Sequence, residues 1–208
     1  LGNPDEDVTN RAYLGKIMDL FISTFIKMFF IMTPFFVLTV FLTITNDATL
    51  IEKRKLAIKV TLSVVVISLV LLFFGEYIFK VFGITLDAFK IGAGALLFLT
   101  AVGLIYGNKD GQKPTDKNLS DLAVVPLALP ITIGPGTIGV LLVMGVEFNS
   151  FSKLVIGSLA LLCAILLIGS MLYLSSLIEK IIKKNGLLIL SKITGLFLAA
   201  LSAQLIFD

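Results

Sequence analysis

The sequence predicts an all-α polytopic membrane protein with six transmembrane helices. Of its 208 residues, 57% are hydrophobic, and the mean hydropathy is +1.04. Apolar runs of ~20 residues, the length at which a helix crosses a bilayer, recur along the whole chain. Short polar or charged segments separate these runs, which is typical of loops between spans. The six predicted spans are Leu20–Ile44, Ala57–Phe79, Ala88–Tyr106, Leu122–Val146, Leu154–Leu177 and Leu187–Phe207.

Two of the predicted spans, the first and the fourth, contain residues that break helices. Thr33-Pro34 lies near the middle of the first span, and Gly134-Pro135-Gly136 lies near the middle of the fourth. Proline removes a backbone donor and clashes with the preceding turn, and glycine weakens a helix. In a membrane such a break is tolerated only where protein or a water-filled cavity surrounds it. Helices 1 and 4 are therefore predicted to be broken at a binding site, as in many transporters.

The two halves of the chain show a weak internal similarity. Thr33-Pro34 aligns with Gly134-Pro135, and Lys55–Ile58 (KLAI) aligns with Lys153–Ile156 (KLVI). Each half has three spans, an odd number, so two copies must lie in opposite orientations across the bilayer. The predicted architecture is therefore two inverted three-helix repeats. The predicted domains are an N-terminal segment (1–19), the first repeat (20–106), a linker (107–120) and the second repeat (121–208).

The distribution of Lys and Arg predicts the orientation of the chain. An even number of spans places both termini on one side, which carries five of these residues, while the opposite side carries eleven. Together with Lys27 inside the first span they make up the 17 in the chain. Since Lys and Arg concentrate in cytoplasmic loops, both termini are predicted outside the cytoplasmic membrane, and the linker 107–120 in the cytoplasm. The excess of basic residues is explained by the orientation of the chain in the membrane. This excess therefore does not indicate that the protein binds nucleic acid.

If the halves are antiparallel, the two breaks meet at mid-depth in the membrane. Free N–H groups at the start of the second half-helices favour a carboxylate, and free carbonyls at the end of the first half-helices favour an ammonium group. One site would thus offer both poles to a zwitterion. The alternative interpretation is that the prolines are only packing kinks. The predicted substrate-binding residues are Thr33, Pro34, Phe35, Phe36, Thr39, Pro130, Ile131, Thr132, Gly134, Pro135, Gly136, Thr137 and Ile138.

Several of these predictions assign a structural role to a residue near the site. Phe35 or Phe36 would limit the space for a substrate side chain, and a valine at Gly136 is expected to abolish uptake while the protein stays folded. The turns at Gly83 and Gly186 are predicted as hinges of alternating access. The glycines predicted to pack helices near the site are Gly92, Gly94 and Gly195.

The residues that membrane enzymes and metal sites use are scarce. The chain has no histidine, and Cys163 is its one cysteine. No pair of carboxylates is predicted at mid-depth, so neither an activated nucleophile nor a metal centre is indicated. We therefore predict that the protein is not an enzyme and has no resident cofactor. Coupling to H⁺ or Na⁺ stays open, and backbone carbonyls and threonines would have to carry it.

The sequence resembles the MarC/SnatA family of integral membrane proteins. The resemblance is strongest at Val125–Ile138 (VPLALPITIGPGTI), with further matches at Phe82–Thr85 (FGIT), Phe89–Gly94 (FKIGAG) and Leu190–Gly195 (LSKITG). It implies six spans in two inverted halves and, as in archaeal members, ion-driven uptake of glycine and alanine. The family usually has Asn or Asp where this chain has Thr33, and Gly or Thr where it has Phe36.

The sequence thus predicts a secondary transporter of small neutral amino acids in the lipid bilayer, and homo-oligomerisation stays open. Two alternatives remain at this point. One is an exporter of small apolar compounds, whose pocket would not need both helix ends. The other is a membrane scaffold or sensor that transports nothing and in which the breaks tolerate mutation.

Overall fold

A computed structural model describes residues 4–106 and 124–207 of the chain. All regular structure in these two ranges is helical, and they contain no strand. The predicted linker 107–120 lies outside the described residues. The helices are α1 (Pro4–Ile31), α2 (Pro34–Ile44), α3 (Leu50–Phe82), α4 (Leu86–Tyr106), a π-helix (Val124–Thr132), α5 (Pro135–Glu147), α6 (Phe151–Tyr173) and α7 (Ser175–Phe207).

Among the described residues, five helical segments are long and apolar enough to cross a membrane. They correspond to the first, second, third, fifth and sixth predicted spans. The fourth predicted span is divided between the π-helix and α5, and α5 has only 13 residues. The prediction of an all-helical multi-pass membrane protein is confirmed, whereas the six-helix inverted repeat stays a prediction. The five segments are Leu14–Ile44, Leu50–Gly75, Leu86–Tyr106, Phe151–Tyr173 and Asn185–Phe207.

The first span is broken between α1 and α2. Pro34 is the first residue of α2, a position where the missing N–H of proline costs nothing. Thr33 before it adopts the left-handed conformation, with φ 49° and ψ 56°, which is uncommon for a residue other than glycine. The Thr33 N–H donates to Phe30 O at 3.0 Å, so the chain turns tightly before the new helix begins.

The fourth span is broken in a different way. The Ile133 N–H donates to Ala128 O at 2.9 Å, an i→i−5 bond, and the Thr132 hydroxyl donates to Leu127 O at 2.7 Å. This widened helix ends at Thr132. Gly134, the N-cap of α5, is extended with φ −77° and ψ 172°, and Pro135 then starts α5. π-Helical turns occur mostly as single bulges inside α-helices and are frequent at functional sites.

Three local features differ from the sequence-based expectations or refine them. The charged segment 179–186, which lies between the fifth and sixth predicted spans, is helical except at Lys183, which has φ 59° and ψ 163°. The turn predicted at Gly186 is therefore wrong in position, because the helix bends at Lys183 and Gly186 lies within a helix. The hinge role stays a prediction. Gly83, in contrast, ends α3 in the left-handed conformation with φ 62°. At the other end of the chain, α1 runs without interruption from Pro4, so most of the N-terminal segment is helical.

The helices pack so that the segments on either side of each break are covered by other helices. The helix α1 packs against α6, and α2 packs against α7 and the π-helix. The helix α4 lies between α5 and α7, and α3 contacts α5, α6 and the π-helix. Large apolar side chains such as Phe73, Phe74 and Leu99 point outward, which suits contact with lipid.

Candidate functional site

The two breaks are in direct contact. The hydroxyl of Thr137, in the first turn of α5, donates a hydrogen bond to the carbonyl oxygen of Ile31, the last residue of α1, at 3.4 Å. Both residues are buried, with exposures of 3% and 4%. The bond joins positions 106 residues apart in the sequence. The structure therefore brings together the two interrupted segments that the sequence singled out.

The contact places two helix ends of opposite polarity beside each other. The carbonyl end of α1 carries partial negative charge, while the first N–H groups of α5 carry partial positive charge. Gly134, the residue that caps α5, provides no side-chain hydrogen bond to those N–H groups. A helix end of each polarity is the kind of position at which proteins bind charged groups of the opposite sign.

The predicted threonines are buried or partly buried, and most of their hydroxyl protons are already used. Thr132 donates to Leu127 O, and Thr39 donates to Phe35 O at 2.8 Å, each within its own helical segment. Thr137 donates across the junction to Ile31. Thr33 is 4% exposed and gives no side-chain cap to α2. Thr39, Thr132 and Thr137 are thus placed to accept hydrogen bonds through their oxygens rather than to donate them.

Gly136 packs α5 against α4. A Cβ added at Gly136 would lie 2.9 Å from the Cα atom of Leu97, which is closer than real Cβ atoms approach other atoms. One turn further along α5, a Cβ added at Gly139 would meet the Cβ atom of Ala93. A valine at Gly136 would force α4 away from α5, so loss of uptake in that variant would report on helix packing as well as on the substrate site.

The three glycines predicted to pack helices near the site differ in their surroundings. A Cβ added at Gly94 would lie 3.0 Å from Ser202 O, and one at Gly195 would lie 3.0 Å from Ala101 O. These two glycines let α4 and α7 approach closely. Gly92 is exposed, and nothing lies within 4 Å of an added Cβ. The packing prediction is wrong for Gly92 within this chain.

The remaining predicted residues lie around the junction with varied exposure. Pro34 is buried, and Pro135 is exposed. The Phe35 ring is half-buried and meets the Phe29 ring edge-on at 6.4 Å between centroids, so it packs back onto α1. Pro130 belongs to the π-helix. The residues that are half-buried besides Phe35 are Phe36, Ile131, Gly134 and Ile138.

A small cavity adjoins the second break. It lies between α3 and α6, and Thr132 at the end of the π-helix forms part of its wall. Its volume is about 10 Å³, close to the minimum that holds one water molecule. Most of its wall is formed by apolar side chains from α3 and α6, among them Val60, Val64, Ile165, Ile168 and Leu172.

Sequence reasoning missed some of the residues that form the site. Ile31 contributes its backbone carbonyl and Leu97 contributes packing, so neither has a side chain whose chemistry would attract attention. The position of Ile31, two residues before Thr33, was the one available signal, since the last carbonyls before a break are free. No signal in the sequence indicated Leu97, because the contact depends on how α4 is rotated against α5.

One ion pair joins the two halves of the chain near the end of α5. The Lys90 ammonium group lies 2.7 Å from the Glu147 carboxylate, linking the start of α4 to the last residue of α5. In the described ranges no group of three or more His, Cys, Asp or Glu residues could hold a metal ion.

These features define a multi-pass integral membrane protein whose interrupted helices meet inside the helix assembly. The family profile described as MarC family integral membrane protein matches residues 18–208. The chain therefore belongs to the MarC family, as its sequence motifs indicated.

The chain is similar over nearly its whole length to membrane proteins of bacteria and archaea. It is 32% identical to a UPF0056 membrane protein of Aquifex aeolicus, and the match covers 91% of each chain. It is 30% identical to the UPF0056 membrane protein YhcE of Escherichia coli, with 90% of each chain covered. A UPF0056 membrane protein of Methanocaldococcus jannaschii is 29% identical, with 92% of this chain and 86% of the relative covered. No solved structure matches this chain.

Proposed function

We propose that this protein is a secondary transporter of small neutral amino acids. The observation that carries the proposal is the hydrogen bond from the Thr137 hydroxyl to Ile31 O, because it sets the start of α5 against the end of α1. Two helix ends of opposite polarity at a buried position suit a zwitterion, whose two charges are separated by a single carbon atom. Membership of the MarC family supports the same conclusion through the resemblance to its archaeal members.

In the proposed binding mode, the substrate takes over groups that pair with each other in the structure. The ammonium group of the substrate binds Ile31 O in place of the Thr137 hydroxyl, and its carboxylate binds the free N–H groups at the start of α5. The released Thr137 hydroxyl donates to the carboxylate instead. Substrate binding thus exchanges one internal hydrogen bond for several charge-assisted ones, which are roughly twice as strong.

The proposal extends to how transport is driven and directed. Alternating access would come from rocking of the two inverted three-helix repeats around the junction, with both termini outside the cytoplasmic membrane. An H⁺ or Na⁺ gradient would drive uptake, and the coupling ion would bind the carbonyls and hydroxyls of the breaks. The protein would have no enzymatic activity and no resident cofactor.

The first experiment is uptake of labelled glycine into proteoliposomes under a proton gradient, a sodium gradient or neither. We expect gradient-dependent uptake that alanine inhibits and that leucine and glutamate do not. Absence of uptake under every condition, from protein that is folded by circular dichroism, would overturn the proposal. Uptake that no zwitterion inhibits would instead favour an exporter of apolar compounds.

The second experiment tests the junction itself. Thr137→Val keeps the shape of the side chain but removes the hydroxyl, and we expect uptake to fall about 10- to 100-fold, as when a hydrogen bond to a charged group is lost. Thr137→Ser should restore most of the activity. Thr100→Val is the matched control, because the Thr100 hydroxyl donates to Leu96 O within α4 and makes no bond to either broken segment. Equal uptake by Thr137→Val and Thr100→Val would contradict the assignment.

A further inference from the structure

The first turns of α3 carry a cluster of basic side chains at the surface of the protein. Segment 50–59 has four basic residues and one acidic residue, so its net charge is +3. Arg54, Lys55 and Lys59 are exposed, and within residues 4–106 and 124–207 the structure describes no ion pair for any of them. The orientation of the chain in the membrane accounts for the number of basic residues at this end of α3, but not for their arrangement.

Lys55 and Lys59 continue the lipid-facing side of α3. Leu62, Val66 and Phe73 follow these lysines at spacings of three, four and seven residues, so all five side chains lie on one side of the helix. The three apolar side chains are 54–63% exposed, and this side of the helix is therefore the one that contacts acyl chains. With 33 residues, α3 is about 50 Å long, whereas the hydrocarbon core is about 30 Å thick. The ends of α3 therefore extend into the headgroup layers, and the two lysines lie at one of these ends.

The ring of Tyr173, the last residue of α6, fixes the position of the third cation. The guanidinium carbon of Arg54 lies 4.9 Å from the centre of this ring, which is a cation–π contact between α3 and α6. Arg54 stays exposed, so its N–H groups are accessible to a ligand. The nearby acid, Glu52, is already used: its carboxylate accepts hydrogen bonds from the N–H of Thr49 at 2.8 Å and from the Thr49 hydroxyl at 2.7 Å. The cluster therefore presents an uncompensated positive charge to the headgroup layer.

We infer that Arg54, Lys55 and Lys59 bind the phosphate of an anionic phospholipid, whose acyl chains lie along the apolar side of α3. A phosphodiester suits this set of groups, because a guanidinium donates two parallel hydrogen bonds to phosphate oxygens and the ammonium groups of the lysines compensate the charge. Clusters of Lys and Arg at the level of the headgroups attract anionic lipids in the same way. The inference does not depend on the proposed transport function and stands or falls separately from it.

The test compares two variants of the full chain that lose the same charge at different places. Lys55→Gln/Lys59→Gln removes two exposed cations from the cluster. The control, Lys16→Gln/Lys153→Gln, removes one exposed cation from α1 and one from the first turn of α6. Each purified protein, folded by circular dichroism in a neutral detergent, is titrated with phosphatidylglycerol or phosphatidylcholine. Native mass spectrometry measures the number of bound lipid molecules at each concentration.

We expect the wild-type protein to bind phosphatidylglycerol more tightly than phosphatidylcholine. Lys55→Gln/Lys59→Gln should weaken the binding of phosphatidylglycerol about 25-fold, since each basic residue near a membrane surface changes the affinity for anionic lipid about fivefold. The control variant should keep the wild-type affinity.

A second pair of variants tests the contact between Arg54 and Tyr173. Tyr173→Leu removes the ring but no charge, and it should weaken the binding of phosphatidylglycerol about 2- to 5-fold, as expected for an exposed cation–π contact. The matched control is Tyr106→Leu, which removes an exposed ring at the end of α4 and should leave the affinity unchanged. If Lys55→Gln/Lys59→Gln does not fold, the comparison of Tyr173→Leu with Tyr106→Leu decides.

Three outcomes would overturn the inference. Equal loss of affinity in the two double variants would show that lipid binding follows the net charge of the protein and not this cluster. Equal binding of phosphatidylglycerol and phosphatidylcholine by the wild-type protein would show that no anionic headgroup is selected. Displacement of phosphatidylglycerol by an equal concentration of glycerol 3-phosphate would show that the acyl chains contribute nothing and that the ligand is a soluble phosphate ester.

Discussion

The same chemical change at two glycines, Gly136→Ala and Gly92→Ala, is expected to have opposite effects on stability. At Gly136 the new methyl group would lie 2.9 Å from both the Cα and the Cδ1 atom of Leu97. Rotation of the leucine side chain relieves the second contact but not the first, so the backbone of α4 must shift. Such overpacking typically lowers the free energy of unfolding by about 1–3 kcal/mol.

At Gly92 nothing lies within 4 Å of the new methyl group, and the residue is in the middle of a helix. Replacing a helical glycine by alanine there should raise the free energy of unfolding by about 0.5–1 kcal/mol. The two variants should therefore differ by about 1.5–4 kcal/mol, which combines these two ranges. The assay is equilibrium unfolding by sodium dodecyl sulfate in mixed micelles, followed by circular dichroism.

The comparison reports mainly on the packing of α4 against α5, because composition and charge change identically in both variants. If Gly136→Ala is as stable as Gly92→Ala or more stable, the close approach of Leu97 to Gly136 is refuted. Glycine uptake by the two variants adds a second readout, since only Gly136 belongs to the junction of the breaks.

Three further measurements test other contacts. Thr137→Val should lower the free energy of unfolding by about 1–3 kcal/mol, since it leaves the buried Ile31 carbonyl without its hydroxyl partner, and Thr137→Ser should recover most of the loss. The coupling energy between Lys90 and Glu147 in a double-mutant cycle with glutamine should not exceed about 1 kcal/mol, because Glu147 is 45% exposed and solvent screens the pair. Thr49→Ala removes the capping box of α3, in which the Glu52 N–H donates to the Thr49 hydroxyl at 3.3 Å, and should cost about 0.5–2 kcal/mol in an unfolding titration.

The positions of the breaks could be predicted from the sequence because they have local causes. Proline removes its own N–H and restricts the residue before it, whatever surrounds the chain, so Pro34 and Pro135 fixed where α2 and α5 begin. The membrane spans could also be predicted from the sequence, since the thickness of the bilayer sets how long an apolar run must be to cross it.

The helix contacts, the π-helix and the bend in α7 could not be predicted from the sequence. They depend on how neighbouring helices pack or on small differences in backbone energy. The sequence places Gly92 and Gly136 in helices, but which of them faces another helix depends on the rotation of α4 and α5. The π-helix before Gly134 arises because Ile133 bonds to Ala128 rather than to the residue one position later, a choice with no signature in the sequence. The bend at Lys183 was expected at Gly186 because glycine is the usual residue for left-handed backbone.

The bond between Thr137 and Ile31 has a consequence for how the protein is made. The ribosome releases α1 and α2 into the membrane long before α5, and during that interval the Ile31 carbonyl lacks the Thr137 hydroxyl that later bonds to it. An unsatisfied backbone group in hydrocarbon costs several kcal/mol. The nascent first half must therefore keep this point next to water or within the insertion machinery until α5 arrives. The polar centre of the protein is then completed only when its second half is synthesised, so a chain that stops after α4 should be a target for membrane quality control.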